Sequence, residues 1–283
     1  YYFEQHLRHN PRAAHHLLLG PYDHLQAQRC VVSALGDTSV FLAGYELDRV
    51  AQVDLIADLR FQWFDHVLNG GPKPALLADR VVYNLMGANA WRTAPSLSAM
   101  ATDRLRVPLG RTRVLTVNLA DRSDTAGPPR WPIDSTTGVV LRTDALPEGR
   151  DVSGLMTGHL EFVTNKRDFD LFVAPYEQTA DGRYLSLPPY TMRASHVQSL
   201  RSRRLLVPGR PTVLDFTSSL RPMGRRIGRG SRIVIVLGVL KGAAQQINYG
   251  TGRDVSDESI ADAGAPLRIE WLKGTYVDLP VRR

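Results

Sequence analysis

The sequence predicts two structures in succession: the closing part of an α/β fold, then an all-β sandwich of the jelly-roll kind. Three observations carry this expectation. His15 to Leu19 forms an apolar, strand-like run cut by Gly20-Pro21, with an imidazole, His24, just beyond it. Val50, Val53, Ile56, Ala57, Phe61, Phe64 and Leu68 recur at three- and four-residue spacings ahead of Asn69-Gly70-Gly71-Pro72. From Pro72 onward that period gives way to short apolar or alternating runs divided by Gly, Pro, Asn and Asp.

Taken in order, Tyr1, Tyr2, Phe3 and Leu7 alternate with Glu4, Gln5 and Arg8 as on an amphipathic helix, stopped by Asn10-Pro11. Strands of parallel sheets are buried on both faces and read as unbroken apolar runs, and active-site residues stand in loops past their carboxyl ends. The run ending at Leu19 fits that description, so His24 is the candidate catalytic base. Asp48 is the expected cap of the next helix, and the Gly-then-Pro sequence is its stop. Beyond it, strands are expected at 80–86, 103–107, 114–119, 138–143, 154–163, 168–175, 190–195, 212–216, 232–239 and 268–275. With no helical crossovers among them, they indicate antiparallel pairing. Asp181-Gly182 supplies the positive φ of a tight hairpin.

At 283 residues and 43% hydrophobic, the chain can bury a sizeable core in two domains. It contains no apolar run of membrane-spanning length. Its opening, Tyr-Tyr-Phe-Glu, has neither an initiator Met nor a signal-peptide progression and reads as an internal cut. Cys30 stands alone, which excludes an internal disulfide and a Cys-based zinc site. The net charge of +7 would suit an anionic partner. Arg201, Arg203 and Arg204, and Arg225, Arg226, Arg229 and Arg232, nevertheless lack interleaved aromatics and read as solvated turns and strand ends, not a nucleic-acid footprint.

Other chemistry-bearing residues have plainer readings. His15 and His16 pack or cap a strand edge, His66 forms a surface pair with Asp65, and His6, His9, His159 and His196 show no partner spacing. Asp23 is given a structural role, since adjacent side chains seldom face each other. Asp168 and Asp170 could share a strand face and bind calcium, but turn caps or solvated residues fit better because calcium needs six or more oxygens. Gly224, Gly228 and Gly230 precede a strand and lack the Gly-Lys-Ser/Thr ending of a phosphate loop. Trp91, Trp131 and Trp271 read as packing, with a substrate-stacking wall as the alternative. No metal motif and no cofactor motif is present.

Five segments, in order, resemble the C-terminal half of the CocE/NonD hydrolases: Leu17-Leu-Leu-Gly-Pro-Tyr-Asp-His24, Arg60-Phe-Gln-Trp-Phe-Asp-His-Val-Leu-Asn-Gly70, Tyr83-Asn-Leu-Met-Gly-Ala-Asn-Ala-Trp-Arg92, Asp168-Phe-Asp-Leu-Phe-Val173 with Asp181-Gly-Arg183, and Gln246-Ile-Asn-Tyr-Gly-Thr-Gly252. The resemblance implies that residues 1–72 finish an α/β-hydrolase core and residues 73–283 form a jelly roll. It implies a Ser-His-Asp triad that cleaves a small-molecule ester or amide, with His24 as base. Because the triad order is nucleophile, acid, histidine, and no Gly-x-Ser-x-Gly occurs here, an upstream portion of the same protein is expected to supply Ser and Asp. The chain alone is then expected to be inactive. The resemblance also makes a homo-oligomer plausible, with neither nucleic acid nor membrane as partner. The alternative is a non-catalytic β-sandwich module that binds a ligand or partner.

Overall fold

The computed structural model describes residues 2–20, 40–42, 45–47, 54–122, 138–218, 221–242 and 246–282. Helix α1 (Tyr2–His9) stops before Pro11, and the Asn10 amide closes it on the His6 carbonyl at 2.8 Å. Strand β1 (Leu17–Leu19) follows, and β2 (Val40–Leu42) pairs with β3 (Tyr45–Leu47) as a small antiparallel ribbon. Helix α2 (Asp54–Asn69) ends where Gly70 adopts φ +72° and the Gly71 amide donates to the Asp65 carbonyl. Its expected cap, Asp48, lies outside the described residues.

Strand β1 pairs in parallel with β4 (Val81–Leu85), and β4 pairs antiparallel with β5 (Ala90–Ala94). A parallel pair requires a crossover, and the connection from β1 to β4 carries α2. Side chains alternate across the sheet, so each helix takes one face. Phe3 and Leu7 of α1 pack with Leu17, Leu19, Val81 and Tyr83, while Leu59 and Trp63 of α2 pack with Leu18, Val82 and Trp91. The helix spacing thus identified α2 but misjudged its seam. Phe61, Phe64 and Leu68 point away from this sheet and are exposed, Phe61 at 74% and Leu68 at 75%.

The remaining strands form two sheets. Among the described residues the larger has eight strands: β6 (Asp103–Pro108), β7 (Arg113–Val117), β9 (Arg150–Gly154), β10 (Thr157–Thr164), β14 (Thr212–Thr217), β15 (Met223–Ile227), β17 (Leu267–Trp271) and β18 (Tyr276–Arg282). The smaller has five: β8 (Gly138–Arg142), β11 (Asp170–Gln178), β12 (Tyr184–Ser186), β13 (Tyr190–Arg193) and β16 (Arg232–Val239). Among the described residues all strand pairings within both are antiparallel.

One core joins the two sheets. Leu160 and Phe162 of β10, Ile269 and Trp271 of β17, and Val277 and Leu279 of β18 meet Leu171 and Val173 of β11 and Ile233, Ile235 and Leu237 of β16. Each fully buried aliphatic or aromatic side chain is worth about 1.5–3 kcal/mol. The Phe162 ring meets Trp271 and Phe169 edge-on, with centroids 5.3 and 5.4 Å apart. Trp271 is therefore core; Trp131 lies outside the described residues.

Two expected strands have different bounds in the structure. The run 154–163 breaks at Gly154, whose φ of +117° ends β9 before β10 begins. The run 268–275 ends at Trp271, and a turn closed by the Thr275 amide on the Leu272 carbonyl at 3.0 Å starts β18. The hairpin at Asp181-Gly182 forms as expected, with Gly182 at φ +87° and the Thr179 amide donating to the Arg183 carbonyl.

Candidate functional site

The candidate base, His24, lies outside the described residues, as do Pro21, Tyr22, Asp23 and Cys30. What is described is the strand that leads to it. Leu17, Leu18 and Leu19 are aligned on Val81, Val82 and Tyr83 with both faces covered by helices, and the described residues of this segment end at Gly20. Within the described residues β1 has β4 as its hydrogen-bonded neighbour and an open opposite edge, and its three leucines are half-buried.

The histidines before β1 and on α2 have packing roles. The His15 ring sits edge-on to Phe3 and His6, with centroids 5.1 and 5.0 Å away. His16 Nδ1 donates to the Asp79 carbonyl at 2.9 Å, and its ring meets Trp63 edge-on. Burial holds the His16 pKa below its ordinary value, opposed by that hydrogen bond and reinforced by Lys73, Arg80 and His15. His66 is not paired with Asp65. Its Nδ1 donates to the Gly71 carbonyl at 2.8 Å, and Asp65 instead accepts from Asn69.

Two motifs far apart in sequence meet at the end of β11. Asp168 is fully buried and accepts hydrogen bonds from the Phe169 amide, the Ser195 amide and Ser195 Oγ at 3.0, 3.0 and 2.7 Å. Asp170 accepts two bonds from Arg193, at 2.8 and 2.9 Å, and one from Asn248 at 3.1 Å. The Arg167 amide donates to Gly250, whose φ of +81° lets its backbone lie against the Asp168 carbonyl. These carboxylates are consumed by bonds within the protein, which explains why they sit where a calcium ligand pair was conceivable. Arg203 adds to the staple by donating to the Gly252 and Arg253 carbonyls.

Ser195 is no nucleophile in this arrangement. Its hydroxyl donates to a buried carboxylate, and the adjacent His196 turns its Nδ1 to the Ser199 carbonyl. Among the described residues no serine hydroxyl is hydrogen-bonded to an imidazole, and no three His, Cys, Asp or Glu side chains could jointly hold a metal. No helix among them is long and apolar enough to cross a membrane.

One network escaped sequence reasoning. On the outer face of the larger sheet, His159 Nδ1 contacts Asp215 at 2.7 Å and Nε2 contacts Glu161 at 3.1 Å. Its ring stacks on Tyr276, over which Arg106 also lies while holding Asp278 in a two-point ion pair. The hydrogen bond to Asp215, and then that to Glu161, raise the His159 pKa against the cost of burial. His159 and Glu161 two residues apart signal a shared strand face, but the partner on β14 follows only from register.

A family model described as the X-Pro dipeptidyl-peptidase C-terminal non-catalytic domain matches residues 77–256. No curated protein sequence matches the chain. Among solved structures, an aminopeptidase from the marine sediment archaeon Thaumarchaeota archaeon superposes with a TM-score of 0.77 at 17% identity, over 99% of this chain and 52% of that one. An α-amino acid ester hydrolase gives 0.74 at 15% identity over the same shares, 99% and 52%. A CocE/NonD family hydrolase from Staphylococcus aureus gives 0.58 at 12% identity, over 81% and 46%. The chain thus spans about half the length of these proteins. At such identities the likeness is one of fold.

Proposed function

The chain belongs to the family of the X-Pro dipeptidyl-peptidase C-terminal non-catalytic domain, and from that premise we propose that it is the C-terminal half of a serine hydrolase of the CocE/NonD type. Residues 1–72 close an α/β-hydrolase core, and residues 73–283 form a jelly roll packed against it. The whole protein cleaves an ester or amide of a small molecule by way of an acyl-enzyme.

The observation that supports this reading is the layered arrangement around β1. Among the described residues β1 is a short strand parallel to β4 with a helix on each face and an open opposite edge, as at the border of a larger parallel sheet, and His24 follows five residues after its last leucine in the sequence. The exposed Phe61, Phe64 and Leu68 on α2 offer an apolar surface for the preceding part of that core. Strands β4 and β5 fasten the sandwich to it. The Met86 amide donates to the Gly224 carbonyl at 3.0 Å and the Arg226 amide to the Met86 carbonyl at 2.8 Å, bridging β4 to β15.

In the mechanism, a serine hydroxyl supplied by the upstream portion is a poor nucleophile until His24 takes its proton. Attack on the carbonyl forms the acyl-enzyme, and His24 returns the proton to the leaving group. His24 then deprotonates water, which releases the acid. An upstream carboxylate fixes the imidazole tautomer and stabilises its cation. Imidazole suits both steps because its ordinary pKa of about 6.5 lies near neutrality.

The test is a fluorophosphonate label on a longer protein that includes the preceding segment, followed by a screen of amino-acid esters, cephalosporin side chains and X-Pro amides. Labelling and turnover are expected there, and neither in the 283-residue chain. Ester turnover by the 283-residue chain, abolished by His24→Ala, would put the nucleophile inside it and overturn the division. The second reading, a non-catalytic sandwich module that binds a ligand or partner, is favoured by the family description itself, whose match begins at residue 77. It predicts no label in either protein.

A further inference from the structure

The extended residues ahead of β1 and the segment ahead of β4 enclose, with α2, a cleft of about 480 Å³. Its polar lining is almost wholly cationic. Arg12, Lys73 and Arg80 bring three positive charges and His15, His16 and His66 three imidazoles, against Asp79 as the one carboxylate of the lining. That carboxylate is engaged: Thr93 Oγ1 donates to it at 2.6 Å. Arg80 is tied to the Pro11 carbonyl, which fixes its guanidinium at the rim. Arg12 and Lys73 are exposed, and neither meets a carboxylate among the described residues.

His15 Nδ1 is buried without a hydrogen-bond partner, and an orphaned buried polar atom costs about 1–3 kcal/mol. His16 spends Nδ1 on the Asp79 carbonyl, which leaves Nε2 for another group, and Trp63 and Pro95 supply an apolar wall. Cations gathered in a partly desolvated concavity repel one another unless an anion is shared among them.

We propose that this cleft binds a small oxyanion, a phosphate or a carboxylate group, held by Arg12 and Lys73 and by a proton on His16 Nε2. Planar or tetrahedral oxygens accept the charge-assisted bonds these donors offer. The groups facing His16 are His15 and Arg12 from its own segment, His66 from α2, and Lys73, Asp79 and Arg80 from the segment before β4. All but Asp79 disfavour a proton on His16 when charged, and a bound anion reverses that. Binding therefore takes up a proton and strengthens as pH falls toward 6. The site does not rest on the hydrolase reading.

The experiment titrates the 283-residue chain with inorganic phosphate, acetate and chloride at matched ionic strength, by calorimetry and by NMR of the histidine rings. Saturable binding of phosphate or acetate below about 10 mM is expected, with chloride ineffective and the His16 titration displaced upward when the oxyanion saturates. Which oxyanion binds better identifies the ligand class. The double variant Arg12→Ala, Lys73→Ala changes two exposed side chains and is expected to weaken binding about tenfold or more. Arg229→Ala, on the sandwich, is expected to leave it unchanged. Equal effects of all three salts, undiminished affinity in the double variant, or a His16 titration that phosphate does not move would each overturn the proposal.

Discussion

His159 acquires its partners across strands, and so does its pH dependence. Contacts with Asp215 and Glu161 favour the imidazolium, so its folded-state pKa lies above the ordinary 6.5 of the unfolded chain. A raised pKa adds stability that is complete below about 6.5 and is lost as pH rises through the folded value. Replacing His159 by Gln should therefore cost more at about pH 5.5 than at about pH 9. Because the Asp215 side chain is 74% exposed, solvent screening limits the difference to about 0.5 kcal/mol. Urea unfolding at the two pH values checks it, and the difference should shrink in 1 M salt. The opposite holds for Asp168, which no solvent reaches. Asp168→Ala orphans the Phe169 and Ser195 amides and the Ser195 hydroxyl together, with an expected loss of about 3 kcal/mol or more in urea unfolding. Asp168 was visible in the sequence as half of a carboxylate pair; its partners were not, because Ser195 and Gly250 reach it only through the pairing of β11 with β13 and the return of the 246–252 loop.

The elements most legible in sequence were those whose pattern is purely local. Strand β16 reads as an unbroken apolar run from Arg232 to Val239 and was bounded correctly, since both its faces are buried. Helix α2 was legible from its spacing and its Gly-Pro stop, whereas the face it turns to β1 was not, because two apolar stripes share its surface. Strand β18 was missed. Its Pro280 argues against a central strand, yet while one edge of β18 pairs continuously with β6, Pro280 opposite Arg104, the other pairs with β10 at Tyr276–Asp278 and with β9 at Val281–Arg282, so on that edge the proline falls in the gap between partners. Pro175 in β11 uses the same gap, between the stretches paired with β13 and with β12. Glycines mark another cross-strand device. Gly158 lies opposite Phe216, and Gly238 opposite Phe172, with each ring lying over the glycine where a Cβ would stand. Gly158→Ala should displace the Phe216 ring and cost about 1–3 kcal/mol, read as a lowered urea midpoint. On α2, Phe61→Asp should leave the stability of the 283-residue chain within about 0.5 kcal/mol, since that ring is 74% exposed. The same change should destabilise the longer protein if an upstream segment covers it.

At the scale of the molecule, a three-stranded α/β edge is joined to a two-sheet sandwich through the backbone bridge between Met86 and Arg225. Gly224 permits that approach, because a Cβ there would stand 2.5 Å from the Asn84 carbonyl oxygen. The order of strand, helix and sandwich was readable from residues 15–72 and the change of period after them, whereas the segment that holds His24 lies outside the described residues. A triad is not legible in it: His24 is the one candidate member, and no Gly-x-Ser-x-Gly occurs. The central claim is that β1 presents His24 to a serine of the upstream portion. It is tested most directly by comparing ester turnover of the longer protein with that of its His24→Ala variant, unfolding midpoints being measured alongside. A fall in kcat of about 10⁴-fold or more, with an unchanged midpoint, is the result the account predicts. Undiminished turnover in the variant would contradict it.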